Sequence, residues 1–404
     1  MEYQPVTNRG QPADRYAEVT RDLVSLIERD PELESLLERS IRKAATVNDD
    51  PETNPVRSLP EYCEFVDETY KLVPERILQA PAALTRDRLL QAISYFYFLI
   101  DQELPELADR DLYRPTVQYY EPFADWLRDF VEAWGAFLDT EDSWNDEVYQ
   151  QFRADPRFNL DNGWYESPEN WETFNEFFGR RLRSPGVRPI TEGESVVVSP
   201  ADSVPMGSWE IDGDGRFPGD LRLKSVEYHE VSDLLADDSE YGDAFAGGTF
   251  THTFLNVHDY HRYHFPVGGT VVETAIIRDN VAMEVGWNTD EQAYEPVSSV
   301  GWQFCQTRGY ALVDTGEYGL VACLPIGMAH VSSVTFEDDV QVGETFEKGD
   351  PLGAFYFGGS DFVLLFQEQA GFELVAPNTD LSDGDKRAEY DHLKMGERYG
   401  VLRG

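Results

Sequence analysis

Apolar residues recur at four-residue steps through the first part of the chain and fall at alternating or continuous positions in the last half, so the hydrophobic period changes along the molecule. Between Tyr16 and Arg42 the positions Val19, Leu23, Ile27, Leu33, Leu37 and Ile41 keep helical spacing with one longer gap at Asp30-Pro31, which predicts a helix pair with the second helix opening at that dipeptide. The same period predicts helices over Leu59 to Leu72, Arg86 to Leu104 and Phe123 to Leu138. The last of these carries Trp126, Phe130, Trp134 and Phe137 on one stripe, which reads as core.

From Asn162 the texture becomes strand-like. Glu194 to Val198, Gly248 to Leu255, Gly269 to Ile277, Tyr310 to Val313, Gly319 to Leu324 and Phe362 to Phe366 are short apolar runs separated by Gly, Pro, Asp and Asn. The segment Val342 to Gly353 has the turn spacing of a small sandwich hairpin and is similar to lipoyl and biotinyl carrier domains, without their carrier lysine pattern. Asp380 to Gly404 reads as an exposed, partly helical tail. The fold expected is α+β: a helical N-terminal domain over 1–160, then a β-rich domain over 161–404 containing a lipoyl-like sandwich or barrel element.

Composition changes this picture in one respect. The chain of 404 residues carries a formal charge of −43 with 13% aromatic and 41% hydrophobic residues, so it is acidic yet rich enough in core-forming side chains to fold. Its only lysines are Lys43, Lys71, Lys224, Lys348, Lys386 and Lys394, and the acids are spread throughout. This predicts a high-salt cytosol, because near molar salt the Debye length falls to about 3 Å and screens the mutual repulsion of carboxylates. Nucleic acid is excluded as a partner for want of a basic face. The densest basic patch, Arg180-Arg181-Leu182-Arg183, reads as a solvated or ion-paired helix end. Cys63, Cys305 and Cys323 are odd in number and far apart, which suggests a reducing cytoplasm. No N-terminal signal and no transmembrane run is visible, so a soluble protein is expected.

The chemistry gathers in the second half. Phe357-Gly358-Gly359-Ser360-Asp361 places a serine behind two glycines at the entry to an apolar run, where Ser360 can attack the carbonyl of Gly359; a β-turn before a buried strand is the plain alternative. Val196-Val197-Val198-Ser199-Pro200-Ala201-Asp202 sets an acid after a short strand, and Asp259-Tyr260-His261-Arg262-Tyr263-His264-Phe265-Pro266 supplies two close imidazoles. Together these resemble the phosphatidylserine decarboxylase family of pyruvoyl enzymes. The likeness extends to Phe174-Asn175-Glu176-Phe177-Phe178-Gly179-Arg180-Arg181-Leu182, to Arg188-Pro189-Ile190 and to Gly327-Met328-Ala329 with Val331-Ser332-Ser333, in family order, and it places the Arg180–Arg183 patch within a domain element instead of at a solvated helix end. The helical first half resembles the extension of fungal aromatic amino-acid decarboxylases, the tryptophan decarboxylase-like branch of the same superfamily.

Removing an α-carboxylate leaves a carbanion that needs an electron sink, and the resemblance implies a pyruvoyl group made from Ser360. Ser360 Oγ attacks the Gly359 carbonyl in an N-to-O acyl shift, elimination splits the resulting ester, and the dehydroalanine left at position 360 hydrolyses to the pyruvoyl cap. The cut separates residues 1–359 from 360–404, which stay associated. By family position Asp202, His264 and Ser360 form the base-activated nucleophile, and His261 is the acid that reprotonates the carbanion after the substrate amine has condensed with the ketone.

His258, His261 and His264 lie at three-residue steps, but on a helix or a strand such steps diverge, so no metal site is expected. His229, His252, His330 and His392 read as ordinary satisfied polar residues. Two positions depart from the family: Asp361 where a small hydroxylated residue is usual, and Ser203 where glycine is usual. Asp361 either repels a substrate carboxylate or binds the substrate ammonium. With no basic amphipathic face for a bilayer, a free, aromatic amino acid is the expected substrate. A phosphatidylserine or archaetidylserine lipid, met peripherally at a membrane, is the alternative, and a non-cleaving relative that only binds is the third reading. Homo-oligomerisation stays open.

Overall fold

A computed structural model of the chain describes residues 15–71, 73, 88–217, 230–297, 305–328, 333–357, 359–378 and 390–404. It is a mixed helix-and-sheet protein, helical first and sheet-rich second, as the change of period predicts. The chain divides into two compact units: Met1–Val148 with Lys224–Val226 and Asn280–Trp302, and Tyr149–Leu223 with Glu227–Asp279 and Gln303–Gly404.

The first unit contains α1 (Glu18–Arg29), α2 (Pro31–Val47), α3 (Leu59–Thr69), α4 (Arg88–Phe98) and α5 (Phe123–Leu138). Asp30 separates the first two as expected, its carboxylate accepting from the amides of Glu32 and Leu33 at 3.0 Å while Pro31 takes the first helical position. Residue 72 and residues 86–87, within the expected helical stretches, lie outside the described residues. On α5, Trp126, Phe130 and Trp134 are buried and Phe137 half-buried, and Trp126 Nε1 donates to the Val19 carbonyl at 2.9 Å.

A strand pair from the β-rich half joins this unit. Strands Val285–Asn288 and Ala293–Pro296 form a hairpin whose main chain is met by helical-unit side chains. The Gln91 amide accepts from Tyr294 N and donates to Tyr294 O, both at 2.7 Å. Gln118 does the same to Met283, and Asp101 accepts from Val285 N at 2.8 Å. Nothing in the strand periodicity points to this, because the pairing groups are side chains nearly 200 residues away.

The second unit opens with α6 (Asp146–Ala154, its first residues in the other unit) and α7 (Phe174–Phe178), the latter started by a capping box of Thr173 and Glu176. Its strands are β1 (Val196–Val198), β2 (Val204–Glu210), β3 (Thr249–Leu255), β4 (Arg262–His264) and β5 (Gly269–Ile277). Counting the hairpin as β6 and β7, there follow β8 (Arg308–Asp314), β9 (Leu320–Met328), β10 (Val334–Phe336), β11 (Thr345–Phe346), β12 (Pro351–Phe355), β13 (Gly359–Phe366), β14 (Glu373–Leu374) and β15 (Arg398–Val401). An antiparallel sheet runs β11-β5-β8-β9-β13-β3-β2, with a second, β10-β12-β4, and a third, β1-β15-β14. The continuous apolar run of β13 is explained by its central place: Phe362, Leu364 and Phe366 enter a core with Leu255, Val313, Val321 and Tyr263, and Val363 and Leu365 are equally buried on the other face.

Two expectations are corrected. The Val342–Gly353 segment does not pair with itself. Thr345–Phe346 pairs with β5 and Pro351–Phe355 with β4 and β10, because Glu347 to Asp350, with Gly349 at φ +91, turns the chain from one sheet to another. The C-terminal stretch is not an exposed, partly helical tail where it is described. Leu393, Met395, Tyr399 and Leu402 are buried, and β15 lies between β1 and β14; residues 380–389 lie outside the described residues.

Candidate active site

Ser360 is the second residue of β13, opposite Leu255 on β3 and Gly327 on β9. The residue is fully buried, and its Oγ has no hydrogen-bond partner among the described residues. Burying a hydroxyl without a partner costs about 1–3 kcal/mol. Gly359 begins the strand, while Gly358, and residues 329–332 of the motif after Gly327, lie outside the described residues.

Both imidazoles of the 259–266 segment are buried and neutral at neutral pH. His261 donates from Nδ1 to the Asp259 carbonyl at 3.0 Å, which leaves the lone pair on Nε2, and that atom is buried without a partner among the described residues. Burial, reinforced by the nearby Arg180 charge, pushes its pKa down to about 3. Its ring lies against Phe178 with centroids 4.0 Å apart. His264 donates from Nδ1 to the Gly349 carbonyl at 2.9 Å and meets the Tyr260 hydroxyl at Nε2, 3.1 Å away. Burial pushes His264 down to about 4 and raises the Tyr260 phenol, so Tyr260 is the donor.

Asp202, His264 and Ser360 do not form a hydrogen-bonded chain. Both Asp202 oxygens are taken by the buried Arg188 guanidinium at 3.0 and 2.6 Å, and Oδ1 also accepts from Met395 N at 2.8 Å. Arg188 in turn lies over the Trp164 ring at 4.4 Å. His264 is therefore oriented by a main-chain carbonyl, and its link to the Asp202 loop is main-chain too, from His264 N to Pro200 O at 2.8 Å. Ser203, in that loop, is buried and accepts from Thr253 Oγ1 at 2.7 Å.

Asp361 does not share the face of Ser360. Strand alternation turns it to the opposite side of the sheet, where its oxygens lie 2.9 and 3.1 Å from His252 Nδ1. His252 is thus hydrogen-bonded to Asp361 in a buried contact next to Ser360. Of the other histidines, His392 lies 2.9 Å from Asp259, which raises the His392 pKa, while His229 and His330 lie outside the described residues.

Arg180 is the residue whose reading changes most. It is fully buried, not solvated, and its guanidinium donates to the carbonyls of Asp259 at 2.8 Å and His258 at 3.1 Å while lying over the Tyr165 ring at 4.4 Å. The Asp259 carbonyl thus receives both Arg180 and His261 Nδ1. Its neighbours Arg181 and Arg183 are exposed, as the charge run suggested. Among the described residues no group of three or more His, Cys, Asp or Glu side chains is arranged to hold a metal ion, and no helix is long and apolar enough to cross a membrane.

Similar proteins agree on the class. Decarboxylase iboD of Amanita muscaria is 28% identical over 276 residues, covering 60% of this chain and 77% of the fungal protein. A phosphatidylserine decarboxylase proenzyme of Fusobacterium nucleatum is 28% identical over 249 residues, 60% of this chain and 74% of the bacterial one. Another, from Myxococcus xanthus, is 31% identical over 249 residues, 58% of this chain and 79% of its own. The chain is accordingly an enzyme of the carboxy-lyase class. The phosphatidylserine decarboxylase family model matches residues 174–401, and the chain belongs to that family.

Proposed function

We propose that the chain is a pyruvoyl-dependent decarboxylase that processes itself between Gly359 and Ser360 and then removes the α-carboxylate of a free amino acid, in a high-salt cytosol. The observation that carries this is the Ser360 hydroxyl, buried without a partner among the described residues and directly behind Gly359 in a chain of this family. A pyruvoyl group at position 360 would supply the electron sink that decarboxylation requires. The residues suit its formation: the nucleophile is unencumbered, and neutral imidazoles lie in the same unit.

His264 is assigned the general base for the Ser360 proton, with its basic nitrogen at Nε2 because Nδ1–H is held by Gly349; the Tyr260 hydroxyl that donates to Nε2 at rest has to turn away before that proton is taken. Asp202 then serves indirectly, its pairing with Arg188 anchoring the loop whose Pro200 carbonyl binds His264. His261 is neutral at rest, so it must take up a proton at Nε2 before returning one to the carbanion. Association of the two products is supported by topology, since β13 lies between β9 and β3, and β15 between β1 and β14.

The resemblance of the helical half to the extension of fungal aromatic amino-acid decarboxylases favours an amino acid, with an aromatic side chain as first choice. Relatives named phosphatidylserine decarboxylase proenzyme support a second reading, a serine phospholipid. Carbon dioxide release from free amino acids and from phosphatidylserine micelles separates the two: release from the amino acid alone is expected, and release from the micelles alone would overturn that choice. A chain that cleaves nothing and releases nothing from either would fit the binding-only reading.

A further inference from the structure

Ser360 and Asp361 are adjacent and both buried, yet they project to opposite faces of β13. The Asp361 carboxylate is fully engaged there: Oδ2 and Oδ1 lie 2.9 and 3.1 Å from His252 Nδ1, and Oδ1 also accepts from Phe362 N at 2.9 Å. Both side chains of the pair are only 2% exposed. His252 is itself fixed. It stands opposite Val363 in the β3–β13 ladder, its ring stacks on Trp209 at 5.5 Å and 24°, and its carbonyl accepts from the Tyr399 hydroxyl at 3.3 Å. The Trp209 ring packs over Gly207, where a Cβ would come within 2.7 Å of it; Gly207 adopts φ +144 at a register shift in β2. The slot is thus built across three strands and ends on the residue after the serine.

We infer that His252 and Asp361 are a positioning pair that anchors residue 361 from the face opposite the Ser360 hydroxyl, holding residue 360 in place for self-cleavage and for turnover. This rests on the processing reading given above. A buried hydrogen-bonded polar pair is a poor source of stability compared with apolar side chains of similar size, which Val363 and Leu365 show this face accommodates. What the pair adds is a directional contact with one geometry. Attack of Ser360 Oγ on the Gly359 carbonyl depends on placement, and a misplacement of about 1 Å can cost about a hundredfold in rate. Before the cut, residue 360 is held by the chain on both sides; after it, only from residue 361 onward, where the pair is the nearest side-chain restraint. Asp361 therefore acts on the reaction without touching the substrate, which answers whether it repels a substrate carboxylate or binds an ammonium.

The test compares wild type, Asp361→Ala, Asp361→Asn and His252→Asn in full-length chains, with folding verified by thermal unfolding. Cleavage is followed by intact mass and turnover by carbon dioxide release per cleaved chain. Asp361→Ala should cleave about tenfold more slowly, and its cleaved fraction should lose kcat with KM little changed. Asp361→Asn, which keeps an acceptor for His252, and His252→Asn, which keeps a donor for Asp361, should each recover most of that loss. Should Asp361→Ala fail to fold, Asp361→Ser takes its place with the same expectation. A folded Asp361→Ala that cleaves and turns over like wild type would overturn the inference alone, as would an Asp361→Asn as slow as the alanine variant. An uncut wild-type chain would overturn the processing reading and this inference with it.

Discussion

The two faces of β13 treat neighbouring polar residues in opposite ways. On one, Ser360 buries a hydroxyl with no partner among the described residues; on the other, Asp361 buries a carboxylate whose oxygens are met by His252 and a main-chain amide. An orphan hydroxyl is not diagnostic by itself, since Thr20 and Tyr62 of the helical unit share that condition. What separates Ser360 is its place behind Gly359, in a unit that also buries two neutral imidazoles, one with its own orphan nitrogen. One face engages its polar side chain fully, and the other leaves a hydroxyl without a partner among the described residues.

The contrast breaks most sharply at Ser360 itself. Ser360→Ala should abolish cleavage and activity, as read by intact mass and carbon dioxide release, while raising unfolding free energy by up to about 1–3 kcal/mol, because it removes a buried hydroxyl that has no partner among the described residues. The same substitution losing several kcal/mol would mean that the hydroxyl is structurally engaged. Arg188→Met leaves the Asp202 carboxylate buried without its cation and should cost about 3–5 kcal/mol in denaturant unfolding. Asp361→Ala removes the acceptor of His252 Nδ1 and should cost about 1–3 kcal/mol, opposite in sign to the change at its neighbour.

The histidines set a pH dependence whose sign is fixed. Their folded pKa values, about 3 for His261 and about 4 for His264, lie below the ordinary 6.5. The unfolded chain therefore binds protons that the folded chain does not between those values, so their contribution is present above pH 6.5 and is lost as pH falls towards 4. A neutral base over the same range predicts a cleavage rate that changes less than about twofold from pH 8 to 5.5 and falls towards pH 4. A break near 6.5 would show His264 exposed to solvent in the reacting state. The smallest effect belongs to Arg181→Ala, beside the buried Arg180 but exposed and 3.7 Å from Glu337, which should shift stability by less than about 0.5 kcal/mol.

The fold was legible where local chemistry decides it. Asp30-Pro31 is a cap with a helix behind it in any context, and an unbroken apolar run such as Phe362 to Phe366 has few homes other than a central strand. The C-terminal stretch is deceptive because Met395, Tyr399 and Leu402 keep an i, i+4, i+7 spacing that reads as helical, whereas the chain there runs as β15 and its apolar residues are buried by partners far away in sequence. The hairpin that joins the helical unit was invisible for the same reason, its main chain being satisfied by Gln91, Asp101 and Gln118. For the candidate site, motifs propose Ser360, Asp202, His261 and His264. They do not propose the partners, because two imidazoles are oriented by the carbonyls of Asp259 and Gly349, and a carbonyl carries no side-chain signature. Arg180 and Arg181 differ by one position in a charge run, and only the fold says which is buried.

The most direct test is the intact mass of purified protein under denaturing conditions, with high salt kept until the last step. Two chains, residues 1–359 and 360–404, with a ketone in place of the amine of residue 360, are the predicted result. A single uncut chain of 404 residues from folded protein would contradict the account.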